Sequence, residues 1–533
     1  MCDTKDHETT QIDVTAEKPS QSSHAVIVGS EQLKNFEKYQ HSLTRLEAFK
    51  QEWKCIMWCI YMFFVCILFG FDALAGGVVV SIEQFRVHFG KPFDGGYVVD
   101  ANWQLGFLAA TLFGLVFGGL CSSVGVAYLG RQITLGIAYC ISIAGVCLQY
   151  YASNDAQFFG GKILTGVPLG IFTSVAPSYA SEMAPLVIRG AITAGMNFAT
   201  VLGQLIGYGV MRQASFYPDE RQYKVLFATQ WGFAAVGLLL LPFYPESPYW
   251  LVQHGRHEKA RRNIEKLHKP GYDVDGKMAE IHDALARINK DNEGQGSMIE
   301  CFNRRNIKRT LVATSMFFVQ NACGNSWVIG YMSYFMQLGG MSAERSFDTS
   351  VGITGLMVIG NMAGWFWVEY FGRRNTALWG TIILCITLYL IGILACIKTN
   401  GAIWGQVAFM AVWGFVYQGT VGSVAWTISS ETPTSRLRMP TQSLSTMMNG
   451  LSSCIWSFSL PYAINPDQGN LGGKIAFIFG SVLVFATIFI YFMVPETKDR
   501  TYVEIDQLWK QGVPPRKFKS TNLVIVTEEQ RDR

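Results

Sequence analysis

Asp72 lies inside the apolar run VCILFGFDALAGGVVV, and Lys162 opens another, GKILTGVPLGIF. An ionised carboxylate in the middle of a membrane span costs about 2.5–3.5 kcal/mol on insertion scales, so Asp72 needs a partner or a purpose. Lys162 is the candidate partner, and a static ion pair that fixes helix packing is the plainest use of the two. A second set of groups is uncharged. Asn197 and Gln204 are seven apart in MNFATVLGQL, on one helical face. Gln320, Asn321 and Asn325 fall in VQNACGN, and Asn449 falls in STMMNGL. With the aromatic residues Tyr331, Tyr334 and Trp426 they are either ordinary helix packing or a set of donors, acceptors and ring faces for a small polar ligand.

A third set occurs twice. YLGRQ at 128–132 returns as YFGRR at 370–374, Glu182 with Arg189 returns as Glu431 with Arg438, and Pro245-Glu246 returns as Pro495-Glu496, at offsets of 242, 249 and 250 residues. In a chain of 533 residues this spacing describes two related halves.

The elements that must position these groups are long and apolar. Hydrophobic residues make up 50% of the chain and charged residues 15%, with a mean hydropathy of +0.21, too apolar for a chain with an ordinary charged surface. Stretches long enough to span a bilayer, about 20 residues, fall near 55–80, 104–127, 132–151, 158–180, 190–211 and 225–243. Six more fall near 311–337, 350–370, 376–397, 402–428, 441–463 and 473–494. The organisation expected is a polar N-terminal tail over 1–50, a six-helix half over 51–245, a linker with short helices over 246–309, a second half over 310–497 and a short basic tail over 498–533.

Lys and Arg gather in the tails, in the linker and in the short loops holding Arg131, Arg189, Arg373, Arg374, Arg436 and Arg438, which places those loops and both chain ends in the cytoplasm. Arg86, Lys91, Arg212, Arg221 and Lys224 fall on the outer side of that arrangement. No cleavable signal is expected at the N-terminus, and the stretch over 31–50 is read as a surface or solvated helix. The net charge of +4 is distributed as membrane topology requires and calls for no nucleic acid. The twelve cysteines show no spacing for metal or redox chemistry, so they are read as small apolar residues.

The motifs FGFD (69–72), GKILTGVPLG (161–170), PSYASEMAPLVIRG (177–190), PESPYWL (245–251), VEYFGRR (368–374) and PETKDRT (495–501), in this order and in matching positions of two halves, resemble the major facilitator superfamily and within it the sugar porter family, over roughly residues 50–510. GVPLG, SYASE, QNACGN and NPDQGNLGGK are most similar to fungal maltose and general α-glucoside permeases. The resemblance implies an all-α membrane protein of the major facilitator fold, with twelve transmembrane helices in two pseudo-symmetric six-helix halves.

It also implies roles. Asp72 would take up and release a driving proton opposite Lys162, which stands where proton-coupled relatives have arginine and which lacks that residue's bidentate fork. Asn197, Gln204, Gln320, Asn321, Asn325, Tyr331, Trp426 and Asn449 would bind sugar, with Asn197, Asn321 and Asn449 shorter than the glutamines common in hexose carriers. Arg131, Glu182, Arg189, Glu246, Glu369, Arg373, Arg374, Glu431, Arg438 and Glu496 would form a cytoplasmic charge network that holds the outward-facing state and breaks as the halves rock. The sequence departs from the family pattern at Ala127, Tyr128, Tyr249, Tyr370 and Asp499, so the network should be weaker in the first half and the population less biased outward.

The function expected is proton-coupled uptake of an α-glucoside or hexose across the plasma membrane by a monomer, with solute, protons and the bilayer as partners and no cofactor or metal. A carrier for a polyol, a quinate-like acid or a secondary metabolite, possibly exporting it, is the nearest alternative, and a non-transporting sugar sensor is one of another class. An enzyme is disfavoured, because no P-loop, zinc-spaced His pair or nucleophile elbow is present.

Overall fold

A helix that is apolar on every side cannot face water, and in lipid it satisfies all its backbone groups within itself. That is the element the chain repeats. The computed structural model describes residues 45–521 apart from 94–95, 185–187, 270, 291–297, 398, 435–436, 465–468, 470, 499 and 501. Most of the surface helix expected over 31–50 lies outside the described residues, as do Arg436 and Asp499 and the side chains of Arg189 and Arg438.

The first half consists of α1 (Trp53–Val78), α2 (Ala101–Tyr150), α3 (Asp155–Met183), α4 (Arg189–Ala214) and α5 (Arg221–Leu240). Helix α2 has 50 residues and is broken at Gly130, whose φ of 85° only glycine adopts readily, so it crosses twice. Between the halves lie α6 (His257–Leu267) and α7 (Val274–Lys290).

In the second half one crossing is assembled from α8 (Ile307–Ala322), α9 (Asn325–Gly330) and α10 (Met332–Leu338), interrupted at Gly324. Helices α11 (Ala343–Phe371) and α12 (Arg373–Ala395) are separated by Gly372. Helices α13 (Asn400–Tyr417) and α14 (Ser423–Glu431) are joined by a π turn at Gln418–Gly422. Then follow α15 (Arg438–Ile464), α16 (Ile475–Met493) and the terminal α17 (Tyr502–Lys510).

Eight helical segments among the described residues are long and apolar enough to cross a membrane, and one of these, α2, crosses twice. The three remaining crossings, α4, α8 to α10 and α15, are less apolar because they carry the amides Asn197, Gln204, Gln320, Asn321, Asn325 and Asn449 and the hydroxyls around them. A small difference from the all-helical expectation is a hairpin between α1 and α2, with β1 (Lys91–Phe93) antiparallel to β2 (Gly96–Val98) and Pro92 opposite Tyr97. The halves meet where α2 lies along α15 and α4 along α11. Glycine permits the first approach, since a Cβ at Gly450 would meet the Val116 side chain at 2.8 Å.

Candidate functional site

The duplicated motifs build the same network twice. The break at Gly130 leaves the amides of Arg131 and Gln132 without helical acceptors, and Glu246 accepts both, at 3.0 and 2.9 Å. The guanidinium of Arg131 donates to Glu182 at 2.6 Å, and the other Glu182 oxygen accepts from the Ser247 hydroxyl at 2.7 Å. In the second half the break is at Gly372, and Glu496 accepts from the amides of Arg373 and Arg374 at 2.8 and 3.2 Å. Arg373 donates to Glu431 at 3.0 Å, and Glu431 accepts from the Thr497 hydroxyl at 2.5 Å.

Each of these contacts lies within one half. Glu246 and Glu496 cap helix starts, and the Arg131–Glu182 and Arg373–Glu431 pairs brace helix ends of their own half. The Ser123 and Ser443 hydroxyls, 2.5 Å apart, join the two halves. Tyr128 and Tyr370, where the sequence departs from the family pattern, are 78% and 79% exposed and turn away from the network.

The buried groups Asp72 and Lys162 do not form the expected direct ion pair. Asp72 accepts a hydrogen bond from Gln230 Nε2 on α5 at 3.0 Å. The Lys162 ammonium, fully buried, has no hydrogen-bond partner and stands 5.6 and 5.5 Å from the ring centres of Phe158 and Phe227. It is aimed at the α1 backbone one turn beyond Asp72, since a Cβ at Gly76 would be 3.7 Å from Nζ. Lys162 ends in a compact point charge without arginine's fork, and here two aromatic faces hold it rather than a carboxylate.

The amides come together where the halves meet. Asn197 Nδ2 donates to Gln418 Oε1 across the interface at 2.8 Å, and Gln320 Nε2 donates to the Gly422 carbonyl on the same π turn at 3.4 Å. Asn321 Nδ2 donates to Asn449 Oδ1 at 2.7 Å and to Ser452 at 2.9 Å, and its Oδ1 accepts from Ser453 at 2.8 Å. Phe317, one turn before Asn321, lies edge-on to Trp426 with ring centres 5.1 Å apart. Asn197, Gln320, Asn321, Trp426 and Asn449 thus belong to one connected set.

Gln204, Asn325 and Tyr331 are not tied into that set by hydrogen bonds. Gln204 Oε1, Asn325 Oδ1 and Trp426 Nε1 are buried without a hydrogen-bond partner among the described residues. Buried polar atoms are rarely left so. Gln418, Ser452 and Ser453 escaped the sequence reading, although Gln418 carried the signal used for the others, a lone amide in an apolar span. Gln230 carried the same signal.

At the far end of the interface Tyr208 donates to the Ile329 carbonyl at 2.7 Å, and Arg212 pairs with Glu344 at 2.7 Å and with Asp348 at 2.5 Å. Contacts between the halves therefore occur on both sides of the amide set.

Residues 58–509 match the family model described as sugar (and other) transporter. The chain is 32% identical over 481 residues to an alpha-glucosides permease, MPH3, of Saccharomyces cerevisiae, covering 88% of this chain and 80% of the relative. It is 30% identical over 511 residues to the maltose permease MAL61 of the same organism, covering 92% and 81%. In three dimensions it is similar to the proton:xylose symporter XylE bound to 6-bromo-6-deoxy-D-glucose, with a TM-score of 0.73, 20% identity and coverage of 85% of this chain and 99% of that one. A partially occluded inward-open conformation of XylE from E. coli gives a TM-score of 0.70 at 20% identity, covering 84% and 99%.

Proposed function

The chain belongs to the sugar (and other) transporter family, and from that membership we propose that it is a secondary transporter taking up an α-glucoside such as maltose, or a hexose, together with a proton. The observation that carries the reading is the set of amides at the junction of the halves, where Asn197 and Gln418 meet and Gln204, Asn325 and Trp426 keep unmatched polar atoms. Sugars are recognised by hydrogen bonds, and a pocket that leaves buried donors and acceptors unmatched discriminates strongly for ligands that match them.

Asn197, Gln204, Gln320, Asn321, Asn325, Tyr331, Trp426 and Asn449 bind the sugar, joined by Gln418. The Trp426 ring packs on its apolar face. Asp72 carries the proton. Gln230 holds one of its oxygens, and the Lys162 ammonium, slung between Phe158 and Phe227, is free to approach when the helices shift. Transport alternates between opening of the end closed by Tyr208 and Arg212 and opening of the end closed by Ser123 and Ser443. The paired networks keep each half rigid as it rocks. A proton falling through 100 mV provides about 2.3 kcal/mol, equivalent to a little under a fiftyfold solute gradient.

The protein works as a monomer in the plasma membrane with both ends in the cytoplasm, and performs no covalent chemistry. The test is uptake of radiolabelled maltose, glucose and a polyol into transport-deficient cells, with and without a protonophore. Protonophore-sensitive accumulation of maltose or glucose is the expected result, and D72N is expected to exchange sugar without accumulating it. Accumulation of the polyol alone would reassign the solute, and accumulation by D72N would remove the proton role.

A further inference from the structure

The duplication supplies an internal control for one position. Gln132 and Arg374 are equivalent, as are Leu241 and Tyr491, at the offsets of the repeated motifs, 242 and 250. Gln132 Nε2 donates to the Leu241 carbonyl at 3.0 Å, and Arg374 Nη2 donates to the Tyr491 carbonyl at 2.7 Å. A neutral amide therefore performs the structural task, tying a helix start to the C-terminal end of the final helix of its half. The positive charge of Arg374 and the aromatic ring beside it are additional to that task.

Around Arg374 the second half gathers more of the same chemistry. Its guanidinium stands 5.5 Å from the Tyr491 ring centre, and Arg516, from the tail beyond α17, stands 5.6 Å from the same ring and 5.0 Å from Phe492. Arg374 Nε has no hydrogen-bond partner, and Glu496 is committed to the backbone amides of Arg373, Arg374 and Lys498. Lys517 and Lys519 follow on the exposed tail. Tyr491 and Phe492 end the apolar α16 and are 43% and 50% exposed, and Tyr370 and Phe371 beside Arg374 are 79% and 54% exposed. Aromatic side chains exposed at the end of a spanning helix mark the level of the lipid headgroups.

We propose that Arg374 and Arg516, set on Tyr491 at the membrane edge of the second half, bind the phosphate of an anionic phospholipid. The exposed Arg516 guanidinium offers phosphate oxygens paired N–H groups, Arg374, whose Nη2 is held by the Tyr491 carbonyl and whose Nε is buried, adds its charge, and the aromatic faces hold both cations at headgroup depth. Lys517 and Lys519 add long-range attraction to an anionic leaflet. The first half, with Gln132 and Leu241 at the matching place, has no such site. The inference rests on the membrane reading of the fold and not on which solute is carried.

The test is native mass spectrometry of the full chain in neutral detergent, titrated with phosphatidylinositol and with phosphatidylcholine of the same acyl chains. The unmodified protein is expected to retain phosphatidylinositol preferentially. R374Q, which the first half shows to be compatible with the fold, and R516Q, in the tail, should each weaken retention about fivefold, and the double variant by their product. R261Q, which removes a linker charge away from the membrane edge, should leave it unchanged. Equal retention by the double variant, an equal loss in R261Q, or displacement of the lipid by an equal concentration of soluble inositol phosphate would each overturn the assignment.

Discussion

Asn197 and Gln418, 221 residues apart and in different halves, share a hydrogen bond of 2.8 Å at the centre of the protein. The bond satisfies two buried amides and ties the halves together. Gln418 is placed for this by the π turn Gln418–Gly422, which offsets the α13 and α14 segments of one crossing.

Replacing Gln418 by alanine leaves Asn197 Nδ2 buried and unmatched and removes one amide from the sugar. A hydrogen bond lost to the sugar costs about 0.5–1.5 kcal/mol, so the apparent KM for the transported sugar should rise several-fold at unchanged surface level. If Gln418 only packed the interface, the maximal rate and the surface level would fall together while KM stayed where it was.

Lys162 separates two uses of a buried cation. Its ammonium has no direct ion pair or hydrogen bond to lose, so K162M places a chain of similar length between Phe158 and Phe227 and removes a buried charge. The thermal midpoint should hold or rise while accumulation of sugar is lost and exchange persists. A fall in midpoint with accumulation intact would make Lys162 a structural group.

Sequence reading placed the crossings because apolar runs and their length depend on local composition alone. It placed the paired networks because their residues repeat. It missed the partner of Asp72, since Gln230 lies 158 residues away on α5 and no spacing rule connects them. It did not see that Glu246 and Glu496 accept from the amides exposed by Gly130 and Gly372, a demand visible only once the positive φ angles are known. It found Arg374 but not the surplus of its charge, which shows only beside Gln132.

Gly130 has φ 85° and ψ 174°, and a Cβ there would stand 2.5 Å from Glu246 Oε2. G130A combines backbone strain of about 1–3 kcal/mol with loss of the carboxylate cap. A lower thermal midpoint and loss of transport are expected, measured on purified protein and in cells, and G372A should do the same because Glu496 stands equally close. An unchanged midpoint in either variant would show that the cap is dispensable.

Where the linker meets the foot of α1, Glu52 Oε2 lies 3.8 Å from His268 Nε2, and both residues are buried. His268 Nδ1 is 2.9 Å from the Ile264 carbonyl, so Nδ1 carries the proton and Nε2 faces the acid. Burial raises the Glu52 carboxyl from 4.5 to about 7, against the Lys277 ammonium, and lowers the His268 imidazole from 6.5 to about 4. The Glu52 contribution to docking is full below pH 4.5 and is lost as pH rises through 7. The His268 contribution is full above pH 6.5 and is lost as pH falls through 4. Between pH 4.5 and 6.5 the two slopes cancel, so docking of α6 should be nearly independent of pH there. E52Q should make docking strengthen with rising pH and H268Q should make it weaken, read as hydrogen exchange of α6 and α7 at several pH values. Equal slopes in both variants would rule this pairing out.

Arg212 tests the closure at the other end. Its partners Glu344 and Asp348 are 62% and 55% exposed, so each pair is a weak exposed ion pair that salt screens. Closure must be weak for a carrier that opens in every cycle, and the two pairs together bias it without locking it. R212Q should therefore shift the population between closed and open outer ends several-fold rather than abolish closure, because Tyr208 still donates to the Ile329 carbonyl. Spin labels at Gln213 and Arg345, in a cysteine-depleted background, should show more of the longer distance in R212Q, and 1 M salt should move the unmodified protein the same way. If salt shifts R212Q as far as it shifts the unmodified protein, the screened charges are not those of Arg212.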